Sequence, residues 1–320
     1  MIPDFLLQQT LLRFPEFQQE SITATLIEKG GSDRKFYRLH IGPRKTQILV
    51  HYGHLREENR HYVEVANFLK SQSLHVPEIH HHDPNQGLIW MQDLGEQDLW
   101  SIRHEPASIR LPHYERVLEQ IALLHQVPVS RAGNLTLPLP FDSALYRWEQ
   151  NYFFDHCLTR HFGLKVDLAD FPALADIADQ LAELPRVLLH RDFQSQNILI
   201  HSQATWMIDF QGMRLGLPHY DLASLLYDPY VDFDPAERSQ LLSFYQNTIA
   251  NDEPDFEHVF RLCALQRLMQ ALGAYGFLGH TQNKPDFLRH IPAALASLRK
   301  VADTIPSLGA LHPLLNRISD

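Results

Sequence analysis

Residues 187–200 read VLLHRDFQSQNILI. Two apolar runs of strand length flank a short polar stretch. A loop joining two buried strands needs only turn residues. This loop instead carries His190, Arg191 and Asp192, then Asn197. Charged and amide side chains set between two core segments point to chemistry. A further aspartate, Asp209, follows at the end of another apolar run, TWMIDF (205–210).

Phosphoryl transfer from a nucleoside triphosphate asks for these residue types in this order. A carboxylate must take the proton of the attacking hydroxyl, and oxygen ligands must hold the magnesium that bridges the phosphates. Asp192 suits the first role. Asn197 and Asp209 suit the second, with one amide oxygen and one carboxylate. Turn capping explains either aspartate alone, but not H-R-D-x-x-x-x-N followed by I-D-F, the spacing of a kinase catalytic loop and its metal site.

The chain of 320 residues exceeds what one simple core needs, so two lobes are expected. The N-terminal third reads as strands: KFYRLHI (35–41) and TQILVHY (46–52) around Gly42-Pro43, then VPEIHHH and GLIWMQDL around DPNQG. A helical stripe lies between them in REENRHYVEVANFLKSQ (56–72). Helical patterns follow at 113–127, 141–162 and 171–184, and again from about Tyr220 to the end, interrupted by three short apolar runs around the opening stretch. The expected fold is α+β and two-lobed, with a small β-rich N-lobe (1–94) and a larger, mainly helical C-lobe (95–320), and the crevice between them as the ligand site.

The net charge of −10 argues against a nucleic-acid partner. No run approaches a membrane span, and the acidic, interrupted start does not read as a signal peptide, so a cytoplasmic protein with no membrane partner is expected. Cys157 and Cys263 show no metal or redox spacing and read as buried thiols. IHHHD (79–83) invites a metal reading. Consecutive strand residues point to opposite faces, so a solvated strand end is expected instead.

On these motifs the sequence resembles the aminoglycoside phosphotransferase and choline kinase superfamily, the small-molecule branch of the protein-kinase-like fold. The stretches GGSDRKFYRL, VPEIHHHDPNQGLIWMQDLG, IDFQGMRLGLPHYDLASLLYDPYV and QRLMQALGAYGFL look most similar to bacterial anomeric N-acetylmuramate/N-acetylglucosamine kinases. The resemblance implies an ATP-dependent enzyme with Mg2+. Asp192 would be the base, and Asn197 and Asp209 the metal ligands. His190, Arg191 and Asp221 would support the loop; for Asp221 a plain helix N-cap is the competing role. Met91, Gln92 and Asp93 would form the hinge that meets adenine, and Gly31 and Ser32 would offer donors to the phosphates. The acceptor would be a small-molecule hydroxyl, an amino sugar, with Arg147 and Glu149 in LYRWEQNYFFDH as candidate contacts. Choline, homoserine or an aminoglycoside as acceptor, and a nucleotide-binding pseudokinase, are the competing readings.

Two departures stand out. EKGGSDRKFYRL replaces a G-x-G-x-x-G loop. TQILVHYG lacks the strand lysine that holds phosphates in most kinases, with Val50 or His51 in its place and Lys45 ahead of the strand. Arg34 and Lys35 are the candidate substitutes. Glu58 and Glu64 receive no role.

Overall fold

The alternation in KFYRLHI sends Tyr37, Leu39 and Ile41 to one face of a strand, as a period of two requires. In the computed structural model this strand belongs to a five-stranded sheet. Residues 2–27, 34–54, 57–231, 233–250 and 255–318 are described, the side chains of 57 and 58 excepted. Helix α1 (Asp4–Arg13) precedes β1 (Ile22–Ile27), β2 (Lys35–Ile41), β3 (Lys45–His51), α2 (Glu57–Ser71), β4 (Ile79–Asp83) and β5 (Leu88–Gln92). The strand order is β1-β2-β3-β5-β4, antiparallel throughout.

The two faces of this sheet go to separate cores. Tyr37, Leu39, Ile41, Leu49, Leu88 and Trp90 pack with Leu6 of α1 and with Phe17. Trp90 Nε1 donates to Thr10 Oγ1 at 3.0 Å, and Arg13 pairs with Asp83 at 2.8 Å, so α1 is fastened to the sheet. Ile48, Val50, Ile89 and Met91, on the other face, join Tyr62, Val65 and Leu69 of α2 in the main core. Neither α1 nor β1 was expected from the sequence pattern. A register shift between Ile79 and His81 breaks the alternation of β4, so His80, which bonds Gln47, and His81, which packs on Trp90, meet the same sheet face, while His82 bonds the Tyr52 hydroxyl. His80 is exposed, as a solvated strand end would be, whereas His81 and His82 are partly buried. Among the described residues no group of three or more His, Cys, Asp or Glu is arranged to hold a metal ion.

The rest is mainly helical. It runs through α3 (Ala107–Gln126), α4 (Ser143–Phe153), α5 (Pro172–Ala182), β6 (Val187–Leu189), β7 (Ile198–His201), β8 (Ala204–Met207), β9 (Arg214–Gly216), α6 (Pro218–Leu226), α7 (Pro235–Ile249), α8 (Phe256–His280), α9 (Ile291–Ala302) and α10 (Leu311–Arg317). Strands β7 and β8 form one hairpin, and β6 pairs with β9. The segment leaving β5 is pinned to β7: Leu99 N donates to Ile198 O at 3.0 Å and Ile200 N to Gln97 O at 2.7 Å. On the other side, Met207 N donates to His75 O, and the His75 ring stacks on Trp206. The β7–β8 hairpin is thus tied on one side to the chain leaving the sheet and on the other to the segment before β4. Cys157 and Cys263 are buried free thiols. Among the described residues no helix is long and apolar enough to cross a membrane.

The single helix expected over 141–162 ends its α-helical part at Phe153 and continues as a π-helix over Phe154–Thr159. There α8 approaches backbone to backbone. A Cβ on Gly276 would lie 2.2 Å from the His156 carbonyl oxygen, and one on Gly273 2.7 Å from the Tyr152 backbone. Gly276→Ala is therefore expected to destabilise by about 1–3 kcal/mol, despite the ~1 kcal/mol that alanine gains in a helix interior. Urea denaturation measures this. An unchanged midpoint would mean that the two helices can part at no cost.

Candidate active site

Beyond β6 the chain turns into the loop through Arg191, whose φ of 77° is left-handed. A non-glycine residue there carries strain of order 1–3 kcal/mol and needs an external hold. Asp221 supplies it. Its two carboxylate oxygens accept the backbone N–H of His190 and of Arg191, each at 2.8 Å. Asp221 lies inside α6, which Pro218 starts after the cap position Leu217, so the plain N-cap role does not apply. Asp221 is fully buried, and His125 Nε2 approaches the same carboxylate at 3.2 Å.

A second aspartate holds the other end of the loop. Asp228 accepts Ser195 N at 2.8 Å and Ser195 Oγ at 2.5 Å, and receives Tyr230 N at 3.0 Å. Sequence reading missed it. The signal was present in YDLASLLYDPY, where a second aspartate follows Asp221 by seven positions, just past the end of α6.

Between these holds, Asp192 is about a quarter exposed, with 27% of its side chain accessible. Burial alone would raise its pKa. Arg191, followed by Arg267, outweighs that and holds the carboxyl below the usual carboxylate range. Arg191 Nη1 touches both oxygens, at 3.0 and 3.1 Å. Asn197 Nδ2 donates to the Asp192 carbonyl at 2.9 Å, which leaves its Oδ1 as the acceptor for a cation. Ile208 N donates to Asn197 O, so Asp209 follows directly beside that loop. Asp209 is itself left-handed, with φ 63°. Its Oδ1 receives Arg34 Nη2 at 2.7 Å and Gln211 Nε2 at 2.8 Å, which leaves Oδ2. Asn197 Oδ1 and Asp209 Oδ2 make a hard-oxygen pair suited to magnesium, which takes one or two protein oxygens and fills its octahedron from phosphates and water.

Phe210 carries the link to the sheet-bearing half. Its ring stacks on Tyr62 of α2 at 4.8 Å, and the Tyr62 hydroxyl reaches Met91 Sδ at 3.6 Å. Met91 is buried at the end of β5. Gln92 N donates to Glu78 O, and the Asp93 carboxylate is held by Arg38 Nε and Nη2 at 2.8 and 3.2 Å. The Asp93 side chain is thereby structural, and any adenine contact from 91–93 is left to the backbone. Gly31 and Ser32 lie outside the described residues.

Arg147 and Glu149 are not brought together. Successive helix positions turn by about 100°, so near neighbours diverge. Arg147 pairs at the surface with Asp179 at 2.6 Å, whereas Glu149 is fully buried and Trp148 is half exposed. Glu149 Oε1 accepts the Tyr220 hydroxyl at 2.7 Å, while Oε2 is buried without a hydrogen-bond partner. Burial pushes its pKa up to about 7, against the opposing pull of Arg191. It lies in the interior behind Arg191 and presents no surface to an acceptor, which sets it apart from its expected substrate role, while Arg147 stays at the surface beside Asp179.

Comparison with known proteins gives a family and a fold. Residues 23–259 match the model of the phosphotransferase enzyme family. An N-acetylmuramate/N-acetylglucosamine kinase of Pseudomonas aeruginosa is 28% identical over 295 residues, covering 89% of this chain and 85% of that protein. A choline/ethanolamine kinase family protein of Mesorhizobium loti superposes with a TM-score of 0.67 at 16% identity, over 97% of this chain and 99% of that one. An ADP-bound aminoglycoside phosphotransferase, APH(2'')-Ib, gives 0.62 at 13% identity, over 94% and 99%.

Two outcomes are expected. Asp221→Asn keeps one acceptor oxygen and withdraws the other from a buried N–H, so it should cost roughly 1–3 kcal/mol in urea denaturation and reduce kcat at least tenfold by slackening the loop. Wild-type kcat in this variant would show that the loop holds itself. Glu149 keeps its proton to about pH 7 when folded, against an ordinary value of 4.5. The unfolded chain releases that proton first, so stability falls as pH rises from about 4.5 to 7. Glu149→Gln removes this slope: relative to wild type, it should gain on the order of a few kcal/mol between pH 4.5 and 8. Parallel melting curves across that range would contradict this.

Proposed function

The chain belongs to the phosphotransferase enzyme family, and on that premise we propose that it is an ATP-dependent kinase phosphorylating an N-acetylated amino sugar, N-acetylmuramate or N-acetylglucosamine, at the anomeric hydroxyl. The observation that carries the reading is the loop held at both ends, with Asp192, Asn197 and Asp209 linked by hydrogen bonds. The name of the Pseudomonas aeruginosa relative supports the choice of acceptor. Such a reaction belongs to cell-wall recycling in the cytoplasm.

ATP would lie between the N-lobe (1–94) and the C-lobe (95–320). Its adenine would rest against the backbone of Met91–Asp93, and its phosphates would lie toward Gly31 and Ser32. Asn197 and Asp209 would hold Mg2+, which when bound neutralises charge on the phosphates. Asp192 is ionised at neutral pH because its arginine neighbours lower its pKa. It therefore accepts a hydrogen bond from the sugar hydroxyl and aims the oxygen at the γ-phosphorus. The new O–P bond forms as the bond to the β-phosphate oxygen breaks, and the hydroxyl proton passes to Asp192. ADP and the sugar phosphate are the products. A carboxylate this acidic takes the proton late, which suits a loose transition state in which little proton transfer precedes bond cleavage.

A coupled ADP-release assay tests the reading, with Mg·ATP and a panel of N-acetylmuramate, N-acetylglucosamine, choline, homoserine and kanamycin. Turnover is expected on the acetylated sugars. Asp192→Ala should lower kcat roughly 10²–10⁴-fold while leaving ADP affinity within a few-fold. Turnover confined to another panel member replaces the acceptor, and nucleotide binding without turnover on any member argues for a pseudokinase.

A further inference from the structure

Strand β3 has no lysine facing the cleft side. Ile48 and Val50 occupy that face and are buried in the main core. Lys45, at the start of the strand, lies over the Phe17 ring at 4.3 Å, on the α1 side of the sheet. Among the described side chains of α2, the inward Tyr62 is buried and Glu64 pairs outward with His61, while the side chains of Glu57 and Glu58 lie outside the described residues. The ion pair that joins these two elements in kinases with a strand lysine is replaced here by other chemistry.

Arg34 occupies the vacated space. It immediately precedes β2 and shares a strand face with Phe36, two positions on. Its guanidinium lies 5.7 Å from the Phe36 ring centroid and 6.0 Å from that of Tyr62. Only 6% of the side chain is accessible, and Nη2 reaches Asp209 Oδ1 at 2.7 Å. Lys35, the other candidate, is exposed and stands opposite His51 in the strand register. Arg34 is therefore a preorganised cation touching a metal-ligand candidate from the sheet-bearing side.

We propose that Arg34 is the phosphate-binding cation of this chain, reaching from the front of β2 to the site that a β3 lysine serves elsewhere and bridging Asp209 to the nucleotide phosphates. This rests on the nucleotide-binding part of the proposed function. A guanidinium suits the task because its planar fork donates to two acceptors at once, one carboxylate oxygen and one phosphate oxygen. Packing against Phe36 and Tyr62 fixes its direction, so little side-chain entropy is lost when phosphate arrives.

Isothermal titration of wild type, Arg34→Ala and Arg34→Lys with Mg·ADP and, separately, with adenosine tests the proposal. Mg·ADP affinity should fall 10–100-fold in Arg34→Ala and recover in part in Arg34→Lys. Adenosine, which has no phosphates, should bind all three within twofold. Unchanged Mg·ADP affinity in Arg34→Ala would overturn the proposal, and so would an equal loss for adenosine, which marks a merely structural residue. Absence of binding of either ligand to the wild type would overturn the kinase reading itself, a result distinct from both.

Discussion

The site depends on one carboxylate receiving two adjacent backbone amides. Asp221 accepts from His190 and Arg191 and so stabilises a left-handed residue that would otherwise relax. That turn puts Asp192 beside the Arg191 guanidinium. The same turn sets up the Asp192 carbonyl, to which Asn197 anchors its amide. Asp228 then fixes the far end through Ser195. A single helix and the residues just past it thus hold a loop that belongs to a different pair of strands, and the reactive side chains inherit their positions from backbone contacts.

Arg191 also divides two acids. Asp192, partly open and in direct contact with the guanidinium, is held ionised. Glu149, sealed behind with one oxygen unpartnered, keeps its proton up to about neutrality. Environments that push two carboxyls apart in this way assign them different tasks. One is open to solvent and ionised. The other limits the net negative charge close to the arginines, which preserves their pull on Asp192.

The parts of this arrangement that are local were legible in the sequence. H-R-D-x-x-x-x-N and I-D-F are read directly, because a loop between two short strands keeps its spacing in space. The two-lobed α+β plan also followed from periodicity. What escaped depends on distant packing. Arg34 meets Asp209 across 175 positions, and no spacing rule reaches that far. Helix α1 has a weak apolar stripe and gains its place from Trp90 and Asp83, residues late in the sheet. Arg147 and Glu149 looked like neighbours on paper, yet helical rotation sends them apart. Asp228 was visible in principle in the same stretch, but only the fold shows that the chain just past α6 meets the loop at Ser195.

The sheet with two separate cores carries a last consequence. Its inner face belongs to the core shared with α2 and the cleft, whereas its outer face is closed by α1 and the aromatics just after it, Phe14 and Phe17. Damage behind the sheet therefore uncovers a greasy back, including Leu39, Leu49 and Trp90, without disturbing the front where Phe210 and Tyr62 meet. Solubility and the geometry of the cleft thereby draw on opposite sides of one layer of backbone, and an uncovered back is the kind of apolar patch that drives association.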